Sequence, residues 1–321
     1  MNNTKPANKF SIALHGGAGT ILKEDMTPNL EAAYKDGLEH AILAGYEVLE
    51  KGGAAEMAIV KAVMSLENNI LFNAGRGSVF TKKGEHEMDA SLMRGRDLAA
   101  GAVAGVKNIA NPIALAYEVM EHSDHVFLSG EGALEFALSR NMVIKPPSYF
   151  FSQFRYDQWK AGRDSDTYAI DHRLHDVDIL LKDKKFGTVG AVALDMHGNI
   201  AAATSTGGMT NKKFNRIGDT PVIGSGTYAN NKTCAISSTG HGELFIRAVA
   251  AYDVSCLMEY KGLTLQQAME EVVMKKLVSI GGEGGMIGID TTGNVSMIFN
   301  SAGMYRGVKG SDGQHNVAIY R

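Results

Sequence analysis

The sequence predicts an α+β protein built in layers, with helices outside two stacked sheets. Short apolar runs bounded by glycine-rich turns occur in both halves of the 321-residue chain, and such runs are typical of buried strands. Segments with helical periodicity are grouped between them. Strands in both halves with helices grouped between them fit a layered sandwich. A chain of this length often forms a single unit in layered α/β folds, so we expect one folded domain.

Local signals predict the elements of the first half. Residues 10–14 form an apolar run that ends in a glycine-rich turn, which is typical of a central strand. Thr27 and Pro28 predict a helix start, because a hydroxyl caps the first turn and proline suits its first position. Gly52 and Gly53 predict its end. The other expected elements are a helix at 54–66, paired strands at 88–93 and 101–106, a helix from 111, a strand at 126–128 and a helix from 132.

The second half begins with a segment of different character. Residues 146–185 carry mixed charges and little periodicity beyond a helix near 151–160, and we expect residues 161–185 to form a mobile linker. One almost wholly apolar, and therefore buried, helix is expected at 243–260. Thr264 and Gln267 have the spacing of a capping box, which predicts the next helix, to about residue 277. Strands are expected at 188–194, 200–206, 235–238, 286–290, 295–299 and 317–320, with a turn at 196–199 joining the first two.

The composition limits the classes of function. The formal net charge is −3, with 32 Lys and Arg against 35 Asp and Glu, so we expect a small-molecule or peptide substrate rather than nucleic acid. No run approaches the ~20 apolar residues of a membrane span, and residues 1–14 lack the apolar core of a secretion signal. We therefore expect a cytoplasmic protein that binds no membrane, unless a signal peptide has been removed. Cys234 and Cys256 are expected to be reduced core thiols.

The step from Gly187 to Thr188 is the first candidate for chemistry. A small residue, a Thr and a strand-like apolar run suit a precursor that cleaves itself. Cleavage would make Thr188 the N-terminal residue, and its α-amine, with a reference pKa of about 7.7–8.0, would be the base that a Thr hydroxyl needs as a nucleophile. Because a Gly-Thr step at the start of a buried strand is common, this step alone leaves a structural interpretation open.

Five further glycine-rich or polar segments occur in a specific order along the chain. Together with the Gly187-Thr188 step, they resemble the plant-type asparaginase and isoaspartyl peptidase branch of the N-terminal nucleophile hydrolases. The resemblance runs from about residue 9 to the C-terminus, and it implies a four-layer αββα sandwich. It also implies that residues 1–187 and 188–321 become the α and β subunits of one folded domain. The segments are His15–Gly19, Leu71–Gly75, Thr204–Lys212, Arg216–Asp219 and Thr239–Glu243.

The resemblance assigns the catalytic roles. Thr188 attacks the side-chain carbonyl of an aspartyl group, and water hydrolyses the resulting acyl-enzyme. Thr206 is the second active-site Thr, whose hydroxyl lies near the amine of the nucleophile. The Thr239 hydroxyl and the Gly240 N–H match the pair that stabilises the oxyanion, and the loss of one such donor typically costs about 2.7–4 kcal/mol.

The resemblance also assigns the substrate site. Arg216 would bind the α-carboxylate of the substrate and Asp219 its α-ammonium, because a guanidinium offers the bidentate fork that lysine lacks. Outside this context, an Arg-x-x-Asp pair is by default a surface ion pair of little energetic value. The remaining substrate-binding residues implied by the resemblance are Asn73, Gly208 and Gly242.

The resemblance implies no cofactor for catalysis, but it implies a structural sodium ion held by backbone carbonyls of a loop near residues 66–76. Two residues depart from the pattern: His241 stands where some bacterial members carry Thr, and Arg76 where a smaller or apolar residue is usual. His15 is interpreted as scaffold support. The residues of the expected sodium loop are Leu66, Glu67, Asn69, Phe72, Ala74 and Arg76.

The implied activity is the release of L-aspartate from L-asparagine and from β-aspartyl dipeptides, by a homodimer of processed αβ units. Two alternatives stay open. The first is a glycosylasparaginase, which cleaves the same bond when the leaving group carries a sugar. The second is an unprocessed relative that keeps the fold without catalysis. A serine or metal-dependent hydrolase is disfavoured, because the sequence has neither a Gly-x-Ser-x-Gly motif nor a metal-ligand pattern.

Overall fold

The computed structural model describes residues 9–163 and 187–321. Within them, twelve strands form two sheets, one of eight strands and one of four. In chain order they are β1 (Ser11–Gly19), β2 (Met88–Arg94), β3 (Ala100–Val106), β4 (Phe127–Ser129), β5 (Val189–Leu194), β6 (Ile200–Thr206), β7 (Thr227–Ala229), β8 (Cys234–Gly240), β9 (Gly284–Asp290), β10 (Val295–Phe299), β11 (Gly303–Gly310) and β12 (His315–Tyr320).

The larger sheet has the order β12-β11-β1-β5-β6-β2-β3-β4, and the smaller one has the order β10-β9-β8-β7. All neighbours are antiparallel except β3 and β4, which are parallel. The strand that follows Thr188, β5, therefore lies inside the larger sheet, bonded to β1 on one side and to β6 on the other. This position gives its first residues little freedom to move.

Eight α-helices lie in the described ranges. They are α1 (Pro28–Glu50), α2 (Ala55–Asn68), α3 (Pro112–His122), α4 (Gly130–Ser139), α5 (Gln153–Arg163), α6 (Gly242–Ala248), α7 (Ala250–Lys261) and α8 (Leu265–Glu270), which continues as a π-helical segment at Glu271–Leu277. Two predicted helix starts are confirmed. Thr27 Oγ1 accepts a hydrogen bond from Leu30 N, and Thr264 and Gln267 form a reciprocal capping box.

The two sheets contact each other, and each also contacts helices. Helices α1, α2 and α3 contact the larger sheet, whereas α7 and α8 contact the smaller one. Successive residues of β5 enter different cores: Ala191 packs under the helices of the larger sheet, and Val192 packs between the sheets. Because side chains alternate along a strand, β5 is buried on both faces. None of the helices in the described residues is both long and apolar enough to cross a membrane.

Several sequence predictions are wrong in detail. The single helix expected at 243–260 is two helices, α6 and α7, separated at Val249, whose φ of 49° lies in the left-handed region. Nor is it wholly buried, since the side chain of Tyr260 is 71% exposed. Strands β7 and β11 were not expected. Cys256 is only partly buried, while Cys234 is buried, and both thiols are free.

The linker expected at 161–185 is wrong at its start, because residues 161–163 form the last turn of α5. The rest of that linker, residues 164–185, lies outside the described residues.

Candidate active site

Thr188 and Thr206 meet at one end of the larger sheet. Val189 of β5 lies opposite Ser205 of β6 in the antiparallel ladder, so Thr188, one residue earlier, comes opposite Thr206. The Thr188 hydroxyl donates a hydrogen bond to Thr206 Oγ1 over 3.1 Å, and both residues are buried. The strand register therefore brings together the two Thr residues that the sequence predicts to act as a pair.

Asn73 lies beside this pair. Its Nδ2 donates to the carbonyl of Gly208 over 2.8 Å, and its Oδ1 accepts from Val79 N over 3.0 Å. The Gly208 N–H in turn donates to Thr206 Oγ1 over 3.0 Å. Gly208 has a φ of 79°, a left-handed conformation that favours glycine. The predicted substrate residues Asn73 and Gly208 are thus hydrogen-bonded to each other, and Gly208 is also hydrogen-bonded to Thr206.

Gly187 packs directly against Asn73. A Cβ atom at position 187 would lie 2.5 Å from Asn73 Cβ, closer than two carbon atoms approach. The residue before the candidate nucleophile must therefore be glycine if Asn73 is to keep its place. The sequence predicts the small residue but not the neighbour that requires it.

Gly242 brings the predicted clamp residues together. A Cβ atom at position 242 would lie 2.8 Å from both Arg216 Nη2 and Asp219 Oδ1, so all three predicted residues line one small space. The sequence did not predict that Arg216 is already paired. Its Nε and Nη2 donate to Glu243 Oε1 and Oε2 over 2.7 and 2.8 Å, a bidentate ion pair. Glu243 belongs to the same glycine-rich segment as Gly242, but its spacing alone gave no signal of this role.

Asp219 has an unusual environment. Its side chain is 4% exposed, and Oδ2 has no hydrogen-bond partner among the described residues. Burial raises the pKa of Asp219 to about 7, although the charge of Arg216 acts in the opposite direction. A buried carboxylate with an unpartnered oxygen is a suitable partner for a cationic group of a ligand.

A second pair of buried ionisable groups, Asp89 and Lys212, lies near Thr206. Asp89 of β2 lies opposite Thr206 in the ladder, and its Oδ1 accepts from Gly105 N over 2.8 Å. Burial raises the pKa of Asp89, and the charge of Lys212 opposes that effect. Burial likewise lowers the pKa of Lys212, whose Nζ donates to the Glu87 carbonyl over 2.8 Å. Neither residue was singled out from the sequence, which has no motif for such a pair.

Thr239 and Gly240 end β8 in the smaller sheet, which packs against β1 and β5. Thr239 Oγ1 accepts a hydrogen bond from Ala18 N of β1 over 3.3 Å. A side chain at Gly240 would overlap the Glu283 carbonyl and the Phe245 ring, so only glycine fits there. The two predicted oxyanion residues are thus fixed against the strand that neighbours the segment of Thr188.

His15, which the sequence predicts to support the scaffold, contacts the backbone of Thr188 itself. It is fully buried, with Nδ1 3.0 Å from the Thr188 carbonyl oxygen and Nε2 2.9 Å from Ser237 Oγ. Burial lowers the pKa of His15 to about 3, so the imidazole is neutral. Because a carbonyl only accepts, Nδ1 carries the proton and Nε2 accepts from Ser237.

The loop expected to hold sodium turns tightly between α2 and residue 77. The carbonyls of Leu66, Asn69, Phe72 and Ala74 each accept one backbone N–H, which leaves each oxygen a second lone pair. The Arg76 side chain is exposed and lies over the Tyr149 ring, 5.6 Å from its centroid, so it does not fill the loop. Backbone carbonyls are the hard oxygen donors that suit an alkali cation, so these residues fit such an ion.

No group of three or more His, Cys, Asp or Glu residues in the described part of the chain has the arrangement of a metal site. His241, the other departure from the pattern, precedes α6, with its Nε2 3.5 Å from Glu243 Oε2. It therefore borders the ion pair of Arg216 and Glu243.

Comparison with known proteins identifies the class to which this fold and site belong. The family model for asparaginase matches residues 8–319, and the chain therefore belongs to the asparaginase family. The isoaspartyl peptidase of Salmonella typhimurium is 49% identical over 98% of this chain and 99% of its own length. An isoaspartyl peptidase/L-asparaginase of Xenopus laevis is 40% identical, with coverage of 96% and 94%. A plant-type L-asparaginase of Pyrococcus furiosus is 42% identical, with coverage of 92% and 94%.

The pKa of Asp219 predicts how stability depends on pH. Between its ordinary value of 3.8 and about 7, the folded protein keeps a proton there that the unfolded chain has released. The free energy of unfolding therefore falls as the pH rises through this window, by up to about 1.4 kcal/mol per pH unit from this group. In Asp219→Asn this contribution is absent, so the variant should gain stability relative to the wild type as the pH rises.

Urea unfolding at a series of pH values measures this difference. Asp124→Asn, at an exposed carboxylate, is the matched control and should follow the wild type. Parallel curves of unfolding free energy against pH for Asp219→Asn and the wild type, from pH 4 to 7, would contradict the raised pKa. They would mean that Asp219 is already ionised in the folded protein throughout this range.

Proposed function

We propose that this chain is a self-cleaving amidohydrolase that hydrolyses β-aspartyl (isoaspartyl) peptides and L-asparagine and releases L-aspartate. The observation that carries the proposal is the hydrogen bond from the Thr188 hydroxyl to Thr206. It joins two buried Thr residues, of which Thr188 directly follows Gly187 at the start of an inner strand. The relatives are isoaspartyl peptidases and L-asparaginases by name, which supports the same substrates for this chain.

In the proposed mechanism, cleavage after Gly187 separates residues 1–187 from residues 188–321 and frees the α-amine of Thr188. This amine accepts the proton of the Thr188 hydroxyl, which attacks the side-chain carbonyl of the substrate. Thr206 orients the nucleophile through the hydrogen bond between the two hydroxyls. The Thr239 hydroxyl and the Gly240 N–H stabilise the oxyanion. The C–N bond of the substrate side chain then breaks, and the leaving ammonia or peptide amine takes the proton from the Thr188 ammonium. Water attacks the remaining ester with the Thr188 amine again as base, which releases L-aspartate and regenerates Thr188.

The charges of the site select the substrate. Arg216 binds the α-carboxylate, and Asp219 binds the α-ammonium. Because Glu243 occupies the Nε and Nη2 edge of Arg216, the carboxylate binds through Nη1 or after Glu243 has moved. The substrate ammonium favours the ionised form of Asp219, so binding lowers the raised pKa of this group. In this arrangement, Arg216 and Asp219 bind only the α-groups of the substrate and not the leaving group on its side chain. The site would therefore accept both asparagine and a β-linked dipeptide.

The contacts between the two sheets, and between each sheet and its own helices, support a four-layer αββα sandwich. We propose that both processed fragments stay in this one folded domain, and that two processed units form a homodimer. The two free thiols are compatible with a cytoplasmic location.

Thr188→Ala tests the assignment of the nucleophile. The variant lacks the attacking hydroxyl, so it should neither cleave itself nor release aspartate from asparagine or a β-aspartyl dipeptide. Intact mass and an aspartate-release assay measure the two activities. Thr188→Ser keeps a hydroxyl and an amine, and it should retain part of both. Aspartate release by the alanine variant would show that another residue is the nucleophile, and a wild type that prefers glycosylated asparagine would reassign the substrate.

Gly187→Ala tests the contact between Gly187 and Asn73. The added methyl group collides with Asn73, so self-cleavage should slow by an order of magnitude or more, about the cost of an overpacked core position. Residue 187 is no longer bonded to Thr188 after cleavage, so aspartate release per cleaved chain should be unchanged. Gly132→Ala, where a methyl group meets open space, is the control. Self-cleavage of Gly187→Ala at the wild-type rate would contradict this role of Asn73.

We also propose that the loop of Leu66, Glu67, Asn69, Phe72, Ala74 and Arg76 binds a structural sodium ion. Thermal unfolding in sodium chloride should then occur at a higher temperature than in choline chloride of equal ionic strength, because an ion that binds only the folded state stabilises it. Arg76→Ala should keep this difference, since its side chain lies over Tyr149 rather than in the loop. Equal melting temperatures in both salts would exclude the ion.

A further inference from the structure

A chain of buried polar contacts, each within hydrogen-bonding distance, runs between the two sheets from Thr188 to the substrate clamp. We call it the hydroxyl chain and define it by His15, Ser237, Thr204, Thr227 and Ser91, all of which have 0% exposure. It begins at the Thr188 carbonyl and ends at the carbonyl of Thr220, the neighbour of Asp219. The successive distances are 3.0 Å (Thr188 to His15), 2.9 Å (His15 to Ser237), 2.7 Å (Ser237 to Thr204), 2.6 Å (Thr204 to Thr227), 2.8 Å (Thr227 to Ser91) and 2.6 Å (Ser91 to Thr220).

The hydroxyl chain alternates between the two sheets. His15, Thr204 and Ser91 lie on β1, β6 and β2 of the larger sheet, whereas Ser237 and Thr227 lie on β8 and β7 of the smaller one. The surrounding space between the sheets is filled by apolar side chains. Polar groups in such a place are costly unless they are hydrogen-bonded, so the chain ties the two sheets together at defined atoms.

The members of the chain share too few protons to act independently. Both ends, Thr220 O and His15 Nε2, only accept. Four hydroxyl groups lie between them and supply four protons for the five contacts from Thr220 to His15, and Thr204 Oγ1 also lies 3.2 Å from the Gly226 carbonyl. The orientation of each hydroxyl therefore depends on its neighbour, and the loss of one hydroxyl alters the contacts on both sides.

The local backbone makes room for this arrangement. Gly190, the third residue of the segment that begins at Thr188, lies opposite His15 in the ladder of β1 and β5. A side chain at Gly190 would overlap Ser237 Oγ and would lie 2.6 Å from His15 Nε2. The contact of His15 with Ser237 thus depends on a glycine in the strand of the nucleophile.

We propose that the hydroxyl chain is a positioning device that fixes the backbone of Thr188 relative to the substrate clamp. This inference rests on the proposed function. Cleavage removes the peptide bond that precedes Thr188, so the carbonyl contact with His15 becomes one of the few restraints on the first residue. It sets the direction in which the hydroxyl and the amine of Thr188 point. A misplacement of about 1 Å costs roughly 100-fold in rate, so residues that never touch the substrate control the reaction.

Substitutions at Thr204, in the middle of the chain, test the proposal. Thr204→Val keeps the shape of the side chain and removes the hydroxyl, and it should lower kcat for a β-aspartyl dipeptide by on the order of 10- to 100-fold with a much smaller change in KM. Thr204→Ser restores the hydroxyl and should restore kcat. Thr233→Val is the control, because Thr233 and Ser255 form a buried hydroxyl pair at 2.6 Å outside the chain.

Ser91→Ala tests whether the effect travels along the chain. Ser91 contacts neither Thr188 nor His15, yet its loss should also lower kcat. In the double variant with Thr204→Val, the loss should be smaller than the product of the two single losses, since both changes interrupt one chain. Multiplicative losses, or a kcat for Thr204→Val equal to that of Thr233→Val, would overturn the proposal.

The rate of self-cleavage separates this proposal from the proposed function. A wild-type chain that cleaves itself but releases no aspartate would contradict the substrate alone. Thr204→Val should then still slow cleavage relative to Thr233→Val, because cleavage also requires a positioned Thr188. Equal cleavage rates of these two variants would contradict the positioning role, whatever the substrate is.

Discussion

The antiparallel pairing of β5 with β6 determines where every other part of the site must lie. In its register, Val189 lies opposite Ser205, and Thr188 consequently meets Thr206. A slip by one residue would turn each side chain of β5 to the other face and move Ala191 and Val192 into the wrong cores. Because β5 is buried on both faces, such a slip is prevented by packing on two sides. The position of Thr188, the candidate nucleophile, is thus a consequence of core packing.

Around this fixed point, the structure keeps charged groups out of water. Asp219, Asp89 and Lys212 are all buried. Burial raises the pKa of the two Asp residues and lowers that of Lys212, so it favours the neutral form of each. Such an arrangement costs folding free energy, which a site tolerates when a ligand supplies the missing charge. The ammonium and carboxylate of an amino acid would complete the set around Arg216 and Asp219. Binding of such a ligand would therefore offset the free-energy cost of burying these ionisable groups.

Most residues of the candidate site were predictable from the sequence, because they lie in short glycine-rich segments whose order is specific. The structure brings Thr188, Thr206 and Asn73 together, and also Arg216, Asp219 and Gly242. The partners of these residues were not predictable. Ser237 and Ser91 contact the site only through the fold, and no local pattern marks them. Glu243 lies in a predicted segment, but its spacing does not predict its ion pair with Arg216.

The same distinction holds for the fold. Strands β5 and β6, which begin with or consist of apolar runs, were predicted almost to the residue. Strand β11 was missed because Gly303, Gly307 and Gly310 interrupt any alternation of apolar side chains. The break between α6 and α7 was missed because Val249 adopts a left-handed conformation that β-branched residues rarely take. In both places tertiary packing overrides the local preference.

The strand order of the larger sheet has a consequence for the proposed cleavage after Gly187. Strands β1 to β4 precede Gly187, while β5, β6, β11 and β12 follow it, yet β1 lies between β11 and β5 and β2 is bonded to β6. The two fragments are interleaved in one sheet, so a cut removes a covalent link without exposing a strand edge. If the cleaved protein unfolds, the two fragments can diffuse apart. Refolding then requires the fragments to meet again in solution. A self-cleaving chain with this topology folds as a single molecule before cleavage. After cleavage, its lifetime in the folded state depends on a low rate of unfolding.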